Sequence, residues 1–479
     1  MLRAALAHSH ARWIALALLL ALTVRLAALA VRPMISRDGV YNVNHTKTYD
    51  RGDGYRGHTV PGVLWAMSTL RHATGLEWQR AGHVLAIGFG IFTVIPLFLL
   101  ALKAAGPAVA RWAAVMYAAH PMAVYYDCDI MGVSMSAFWM TWSVLATWEA
   151  LERGKITMSL AASVCFTFAA LSRREAIMLV PAAGLLAAAL FVSSVSERHR
   201  DRFEPSFKFL LCAPIFVAGT SLIISLSSPL LTYGFEQLLE GASGQTSAIL
   251  EAVEDIDQGT GTAAVGQWLG GAARAVGWVY VPFFIWGLVA ARRLPMFWFL
   301  AGISAIAILL PELRTIGAGA NSMSPRYFMT SVPVFMVFAA IGLEQCSQRL
   351  LQKRHQLVMT AAAAVIVIAV ATAIYPRDRK QWSWRQAAAF VLERYGEHRG
   401  IASSRSQVAY YAGGYHVPIS ARPEDLDVDR IHFIAVKPTA FDETPGYLEK
   451  LPKRARAVEV WRLEEAGREP VVIYELRKP

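Results

Sequence analysis

The chain has 479 residues, of which 55% are hydrophobic and only 17% charged, a balance that excludes an ordinary soluble protein and points to many membrane spans. Lys and Arg (46) exceed Asp and Glu (35), for a net charge of +11, but the bases sit mostly in loops between apolar runs, where they set topology and meet anionic lipid heads, so no nucleic-acid partner is expected. The cysteines Cys128, Cys165, Cys212 and Cys346 are scattered, which excludes a disulfide framework or a paired zinc motif.

The first apolar run, Trp13 to Val31, follows a short basic start at Arg3 and Arg12, as a signal peptide would. It is long enough to span, and Arg25 with the Leu-Ala stretch after it does not resemble a short apolar region ending in a small-residue cleavage site, so the run is expected to remain a span. Further spans are expected at about 82–102, 108–120, 131–150, 156–171, 176–194, 209–228, 276–291, 296–311, 327–345 and 357–375. Eleven spans with the amino terminus inside put Lys103/Arg111, Arg153/Lys155, Arg198 to Lys208, Arg292/Arg293 and Arg349/Lys353/Arg354 at inner connections, as the positive-inside bias requires. Arg32, Arg37, Arg51, Arg56 and Arg71 of the first outer loop run against that bias, though a long loop counts for less.

Three outer segments are long: about 32–81, about 229–275, and everything after Tyr375. In the first, Pro61 to Thr74 has apolar residues at helical spacing and ends on Arg71 and His72, which predicts a helix lying flat in the interface. The second holds Phe235 to Leu250 and the acids Glu251, Glu254, Asp255 and Asp257, and reads as a partly ordered loop. The tail offers strand-like runs at Ile431–Val436, Val458–Leu463 and Val471–Leu476 between Pro and Gly breaks. The expected fold is therefore an all-α polytopic membrane module over 1–375, followed by a small soluble α/β domain over 376–479.

Asp38, in Ser36-Arg37-Asp38-Gly39-Val40-Tyr41, stands just past the first span. A carboxylate at the membrane surface near an arginine and an aromatic ring could act as a general base; the competing reading is an ordinary turn acid before Gly39. Asp50 and Asp53, beside glycines, read first as turn formers. Asp127 and Asp129 follow the third span; two acids two apart in an extended chain can face one hard cation, whereas the plainer reading is a polar helix terminus. Their closeness to apolar spans, where an unpaired charge is costly, weighs for a partner or a task. Ser172-Arg173-Arg174-Glu175 interrupts an apolar stretch at the outer face, against the positive-inside bias, and an arginine fork matches phosphate oxygens. Arg326 and Tyr327 open a late span and pose the same question. The histidines of the outer loops show no metal-binding spacing.

An acid in the first outer loop, acids after the third span, an outer arginine turn and an Arg-Tyr pair opening a late span occur here in one order. That order is similar to the GT-C class of membrane glycosyltransferases, and within it to dolichyl-phosphate-mannose protein mannosyltransferases and bacterial aminoarabinose transferases. The local likeness lies in Ser36–Tyr41 with Thr59-Val60-Pro61-Gly62, in Ala118–Ser136, in Ala169–Pro181 and in Ser324–Glu344. The resemblance implies that Asp38 is the catalytic carboxylate, that Asp127 and Asp129 help hold the acceptor or, with Asp38, a divalent Mg or Mn, and that Arg173, Arg174, Arg326 and Tyr327 meet the carrier's phosphate. Arg37, Tyr41, Asp53 and Glu175 would line the same cavity. Gly39 departs from the protein mannosyltransferases, which carry a second acid there. The implied reaction moves a sugar, with inversion, from a polyprenyl-phosphate-linked donor to a glycan, lipid or protein acceptor, in contact with membrane lipids at the outer face of a bacterial inner membrane, with the tail domain outside. A transporter or flippase of a lipid-linked or polar solute, and a non-catalytic assembly subunit, are the rival readings.

Overall fold

The computed structural model describes residues 8–32, 34–52, 61–153, 156–173, 261–294, 296–317, 325–375, 381–403, 405–419, 428–437, 447–452, 455–464 and 470–477. The chain divides into two compact units, the first Met1–Ala30 with His45–Tyr375 and the second Val31–Asn44 with Pro376–Pro479.

The first unit is helical. Its elements are α1 (His8–Ala30), the end of α2 (Arg37–Asp50), α3 (Pro61–Thr74), α4 (Trp78–Phe92), α5 (Val94–Ala105), α6 (Pro107–Ala118), α7 (Pro121–Asp127), α8 (Val133–Arg153), α9 (Ile156–Ser172), α10 (Gly261–Val276), α11 (Val281–Ala291), α12 (Phe297–Gly317) and α13 (Val332–Ile374), with short 3-10 turns at Pro325–Tyr327 and Met329–Ser331. Pro61–Thr74 is the helix that its apolar spacing predicts, with Val63, Leu64 and Met67 buried.

Among the described residues three stretches, His10–Ala30, Trp78–Ala105 and Met329–Gln348, are long and apolar enough to cross a membrane; Leu269–Val276 with Val281–Ala291 adds a fourth if that pair, bent by 89°, is one broken span. Eleven such helices are not found there, and the expected spans at 176–194 and 209–228 lie outside the described residues. The expected span at 108–120 is the 12-residue α6, about 18 Å long and so short of a 30 Å hydrocarbon core. The span expected at 327–345 is met by Met329–Gln348, but its separation from the run at 357–375 needs correction, because Val332–Ile374 is a single helix of 43 residues. The turn anticipated around Arg349, Lys353 and Arg354 does not form. No Gly or Pro lies between Leu343 and Tyr375, and the polar stretch there is made of Gln, Arg, Lys and Leu, which favour helix.

Close backbone approach sets the packing of α11 on α13. A Cβ on Gly287 would lie 1.8 Å from the Phe338 carbonyl oxygen, and one on Gly342 would lie 1.9 Å from that of Phe283. Small residues on both sides let these helices meet backbone to backbone, with Phe284 packed edge-on to Phe335 and Phe338. The sharp bend before α11 falls at Gly277, whose φ is +83°. There His120 Nε2 donates to the Val276 carbonyl at 2.9 Å, while Nδ1 accepts from the Ala123 amide at 3.1 Å. The imidazole thus caps both the end of α10 and the start of α7.

The second unit is an α/β domain: α14 (Trp382–Tyr395), β1 (Gly400–Ser403), α15 (Ser406–Tyr411), β2 (Tyr415–Pro418), β3 (Phe433–Val436), β4 (Arg456–Leu463) and β5 (Val471–Arg477). The three strand-like runs of the tail are β3, β4 and β5; β1 and β2 come in addition. The sheet order is β2-β1-β3-β5-β4, with β1 parallel to β2 and β3, and β5 antiparallel to β3 and β4. Strands β1 and β3 are buried along their whole length, as central parallel strands covered on both faces must be. Ile401, Phe433, Ala435, Val471 and Ile473 pack on one face against Trp384, Ala388 and Val391 of α14 and Val408 and Ala409 of α15. Ala402, Ile434 and Val436 meet Tyr447 and Leu451 on the other face. Met34 joins the first of these clusters, and the Ile35 amide donates to Tyr411 Oη at 2.9 Å, so residues 31–44 are built into this domain.

Two outcomes follow. Gly342→Ala should force α11 and α13 apart and cost about 1–3 kcal/mol, read as a lowered midpoint of thermal unfolding in detergent. His416, whose Nε2 donates to the Ser403 carbonyl at 2.7 Å, is held below its ordinary pKa by burial, then by the nearby Arg37, and burial does the same to His432. Because the unfolded histidines bind more protons than the folded ones, the contribution of these groups is complete above about pH 6.5 and falls away as pH drops below it. Amide exchange in β1, β2 and β3 should therefore accelerate between pH 7 and pH 5.

Candidate functional site

A buried charge pair fixes the geometry. Arg25 lies fully buried in α1, its Nε and Nη2 donating to Asp127 Oδ2 at 2.8 and 2.6 Å. Its Nη1 donates to the carbonyls of Ala21 and Ala118 at 3.2 and 3.1 Å. Ser134 Oγ donates to the other carboxylate oxygen of Asp127. A side chain on Gly90 would overlap that carboxylate, with its Cβ 2.2 Å from Oδ2. An acid in this position binds α1, α4, α7 and α8 together.

Around the first turn of α8 the chain comes close to three other elements. A Cβ on Gly132 would sit 2.0 Å from the Ser172 carbonyl oxygen and 2.9 Å from Val63 Cγ2, and one on Gly62 would sit 2.7 Å from the Leu171 carbonyl oxygen. The 128–132 loop, the start of α3 and the end of α9 therefore meet at one junction. Ser136 and Thr330 lie 3.4 Å apart, Oγ to Oγ1, which brings the 3-10 turns at 325–331 to the same end of α8.

Of the expected site residues, Asp129 in the 128–132 loop and Arg173 after Ser172 lie at this junction. Asp129 is buried, with Oδ1 accepting the Ile130 amide at 2.9 Å. Arg173 follows Ser172 and is 8% exposed. Arg326 Nη2 donates to Tyr327 Oη at 3.2 Å, with the guanidinium 5.1 Å from the Tyr327 ring centre. Arg174, Glu175 and Asp53 lie outside the described residues. Asp127 has both oxygens engaged by Arg25 and Ser134, because a charge inside apolar helices needs a partner. Among the described residues no three His, Cys, Asp or Glu side chains gather to hold a metal.

Asp38 lies in the second unit, in the first turn of α2. Ser36 caps that helix, its Oγ accepting the Gly39 amide at 3.0 Å, and a carboxylate in the first turn is favoured by the helix dipole. Arg37 donates from Nη2 to Tyr41 Oη at 3.1 Å and lies 5.4 Å from that ring's centre.

Sequence reasoning missed a cluster on the segment from the end of α2 to the start of α4. Asp50, taken there as a turn former, accepts from Ser68 Oγ at 2.7 Å and pairs with His72 Nε2 at 2.6 Å. These hydrogen bonds hold its carboxyl below the usual range, the Ser68 bond foremost. Lys47 is lowered by burial, with Arg51 and Arg71 adding to the effect. Arg71 stacks on Trp78, 4.3 Å from its ring centre. The spacing of Ser68 and His72, one helical turn apart, was the available signal.

Asp127→Asn should leave Arg25 buried without its counter-charge and destabilise the first unit by about 3–5 kcal/mol, whereas replacing both partners by apolar residues of similar volume should recover much of that loss. Thermal unfolding of the single and paired variants in detergent decides it.

No protein-family model matches this chain, and no curated protein matches it in sequence. Its backbone does match solved structures along nearly its whole length. ArnT from Cupriavidus metallidurans, bound to undecaprenyl phosphate, superposes with a TM-score of 0.63 at 10% identity, over 97% of this chain and 98% of that one. The Archaeoglobus fulgidus oligosaccharyltransferase in complex with zinc and sulfate gives 0.57 at 13% identity, over 96% of this chain and 72% of that one. The same organism's AglB, with an inhibitory peptide and a dolichol-phosphate, gives 0.54 at 13% identity, covering 98% and 74%. The chain therefore has the fold of the GT-C class of membrane glycosyltransferases.

Proposed function

We propose that this protein transfers a sugar from a polyprenyl-phosphate-linked donor to an acceptor at the outer face of a bacterial inner membrane. The observation that carries the reading is a fold shared with proteins solved with undecaprenyl phosphate and dolichol-phosphate. The apolar helices of the first unit support a membrane location.

A donor of this kind cannot leave the bilayer, so its phosphate must be received at the surface. Arg173 and Arg326, with Arg174, take that role: guanidinium forks match phosphate oxygens and offset the negative charge that grows as the sugar–phosphate bond breaks. The acceptor hydroxyl attacks the anomeric carbon while the polyprenyl phosphate departs with the bonding pair, which inverts the centre. Asp38 takes the hydroxyl proton as general base. Asp129 orients the acceptor, and Arg37, Tyr41, Asp53 and Glu175 shape the surroundings. No step here depends on a divalent ion.

Purified protein should consume short-chain polyprenyl-phosphate sugars and release the lipid phosphate, followed by mass spectrometry. Asp38→Asn should lower kcat about 10²-fold or more, and Arg173→Ala or Arg326→Ala should raise the donor KM about tenfold. Equal turnover by Asp38→Asn would remove it as the base. Movement of intact donor across vesicle membranes with no turnover would favour the transporter reading instead.

A further inference from the structure

In the second unit, strand β1 is a topological switch point. The chain leaves β1 through α15 on one face of the sheet to reach β2 on one side. On the other side of β1 lies β3, after which the chain passes to Tyr447 and Leu451 on the opposite face. Where neighbouring parallel strands send their connections to opposite faces, a crevice opens beyond their carboxyl ends, and open α/β sheets bind ligands there.

Four buried polar side-chain atoms in this unit have no hydrogen-bond partner: Gln381 Oε1, Arg385 Nη1, Ser406 Oγ and Gln407 Oε1. Ser406 and Gln407 are 3% and 4% exposed and follow directly on the carboxyl end of β1. Arg385 stacks on Tyr411, 3.8 Å from its ring centre. Helix α14 leads into β1 and α15 leads out of it, so both run against the strand and alongside each other. Gln381 lies one turn before Arg385, and Gln407 one turn before Tyr411. Stacking of Arg385 on Tyr411 therefore sets Gln381 level with Gln407 near the carboxyl end of β1, with Arg385 one turn further along the same pair of helices. Buried polar atoms in folded proteins are nearly always satisfied, so four orphans on two adjacent helices call for a ligand.

The chemistry of the set selects that ligand. An anion would satisfy the arginine but not the two amide oxygens, and a cation would do the reverse. A ring bearing several hydroxyls donates and accepts from each and can meet every member. We propose that the second unit binds a saccharide at the carboxyl end of β1, with Gln381, Arg385, Ser406 and Gln407 holding its hydroxyls. The proposed glycosyl transfer guides only the choice of saccharide as ligand class; the site stands on the unpartnered atoms and the sheet topology.

The test uses the full chain in lipid nanodiscs without donor lipid, so that binding is read apart from transfer. Saturation-transfer NMR with maltose, lactose and chitobiose should show saturation of at least one sugar. Gln407→Leu and the less buried Gln381→Leu should each weaken its binding tenfold or more while leaving donor consumption unchanged. No saturation of any of the three sugars by the unaltered chain would overturn the proposal. So would equal saturation of the unaltered chain and both variants, the outcome expected if ordered water alone meets these atoms. Loss of donor turnover in the Asp38→Asn assay bears on the transfer reading and leaves sugar binding untouched.

Discussion

The pairing of Arg25 with Asp127 is the constraint around which the helical unit is organised. An arginine within an apolar helix is tolerated only where its charge and all its donors are met. Here Asp127 meets two of them, and the carbonyls of Ala21 and Ala118 meet the third nitrogen. The two hydrogen bonds from Arg25 to Oδ2 fix the azimuth of α1, while Gly90 leaves space for the carboxylate and Ser134 ties its other oxygen to α8. One ion pair thereby sets the position of the loop that carries Asp129.

From that loop outward, glycines do the positioning. Gly132 and Gly62 let the backbone of the 128–132 loop and of α3 reach the carbonyls of Ser172 and Leu171 at distances no side chain would allow. Ser172, and Arg173 after it, are brought to the start of α8, and Thr330 reaches the same end through Ser136. Residues separated by nearly two hundred positions become neighbours because small residues remove the bulk between them.

The second unit follows a different logic. Its core is a mixed sheet whose central parallel strands are buried on both faces, and its helices α14 and α15 share one of those faces. Met34 and Ile35 are part of this packing, so the acid at Asp38 starts a helix rooted in the α/β domain. Parallel pairing also creates the switch point beside β1, a feature that an antiparallel arrangement of the same strands would lack.

Much of this was legible in the sequence. Hydrophobic runs located α1, α4 with α5, and the apolar part of α13; helical spacing located α3; alternation and β-branched residues located β3, β4 and β5. The sequence could not show that α13 continues through its polar middle, because charge suggests a loop while the local residues favour helix. Nor could it separate Asp127 from Asp129: two acids two positions apart look equivalent until one meets an arginine a hundred residues away. Composition and periodicity determine which segments leave water and which chemistry is at hand. Only tertiary contact decided which of the two acids pairs with Arg25, because pairing depends on distances that local sequence does not encode.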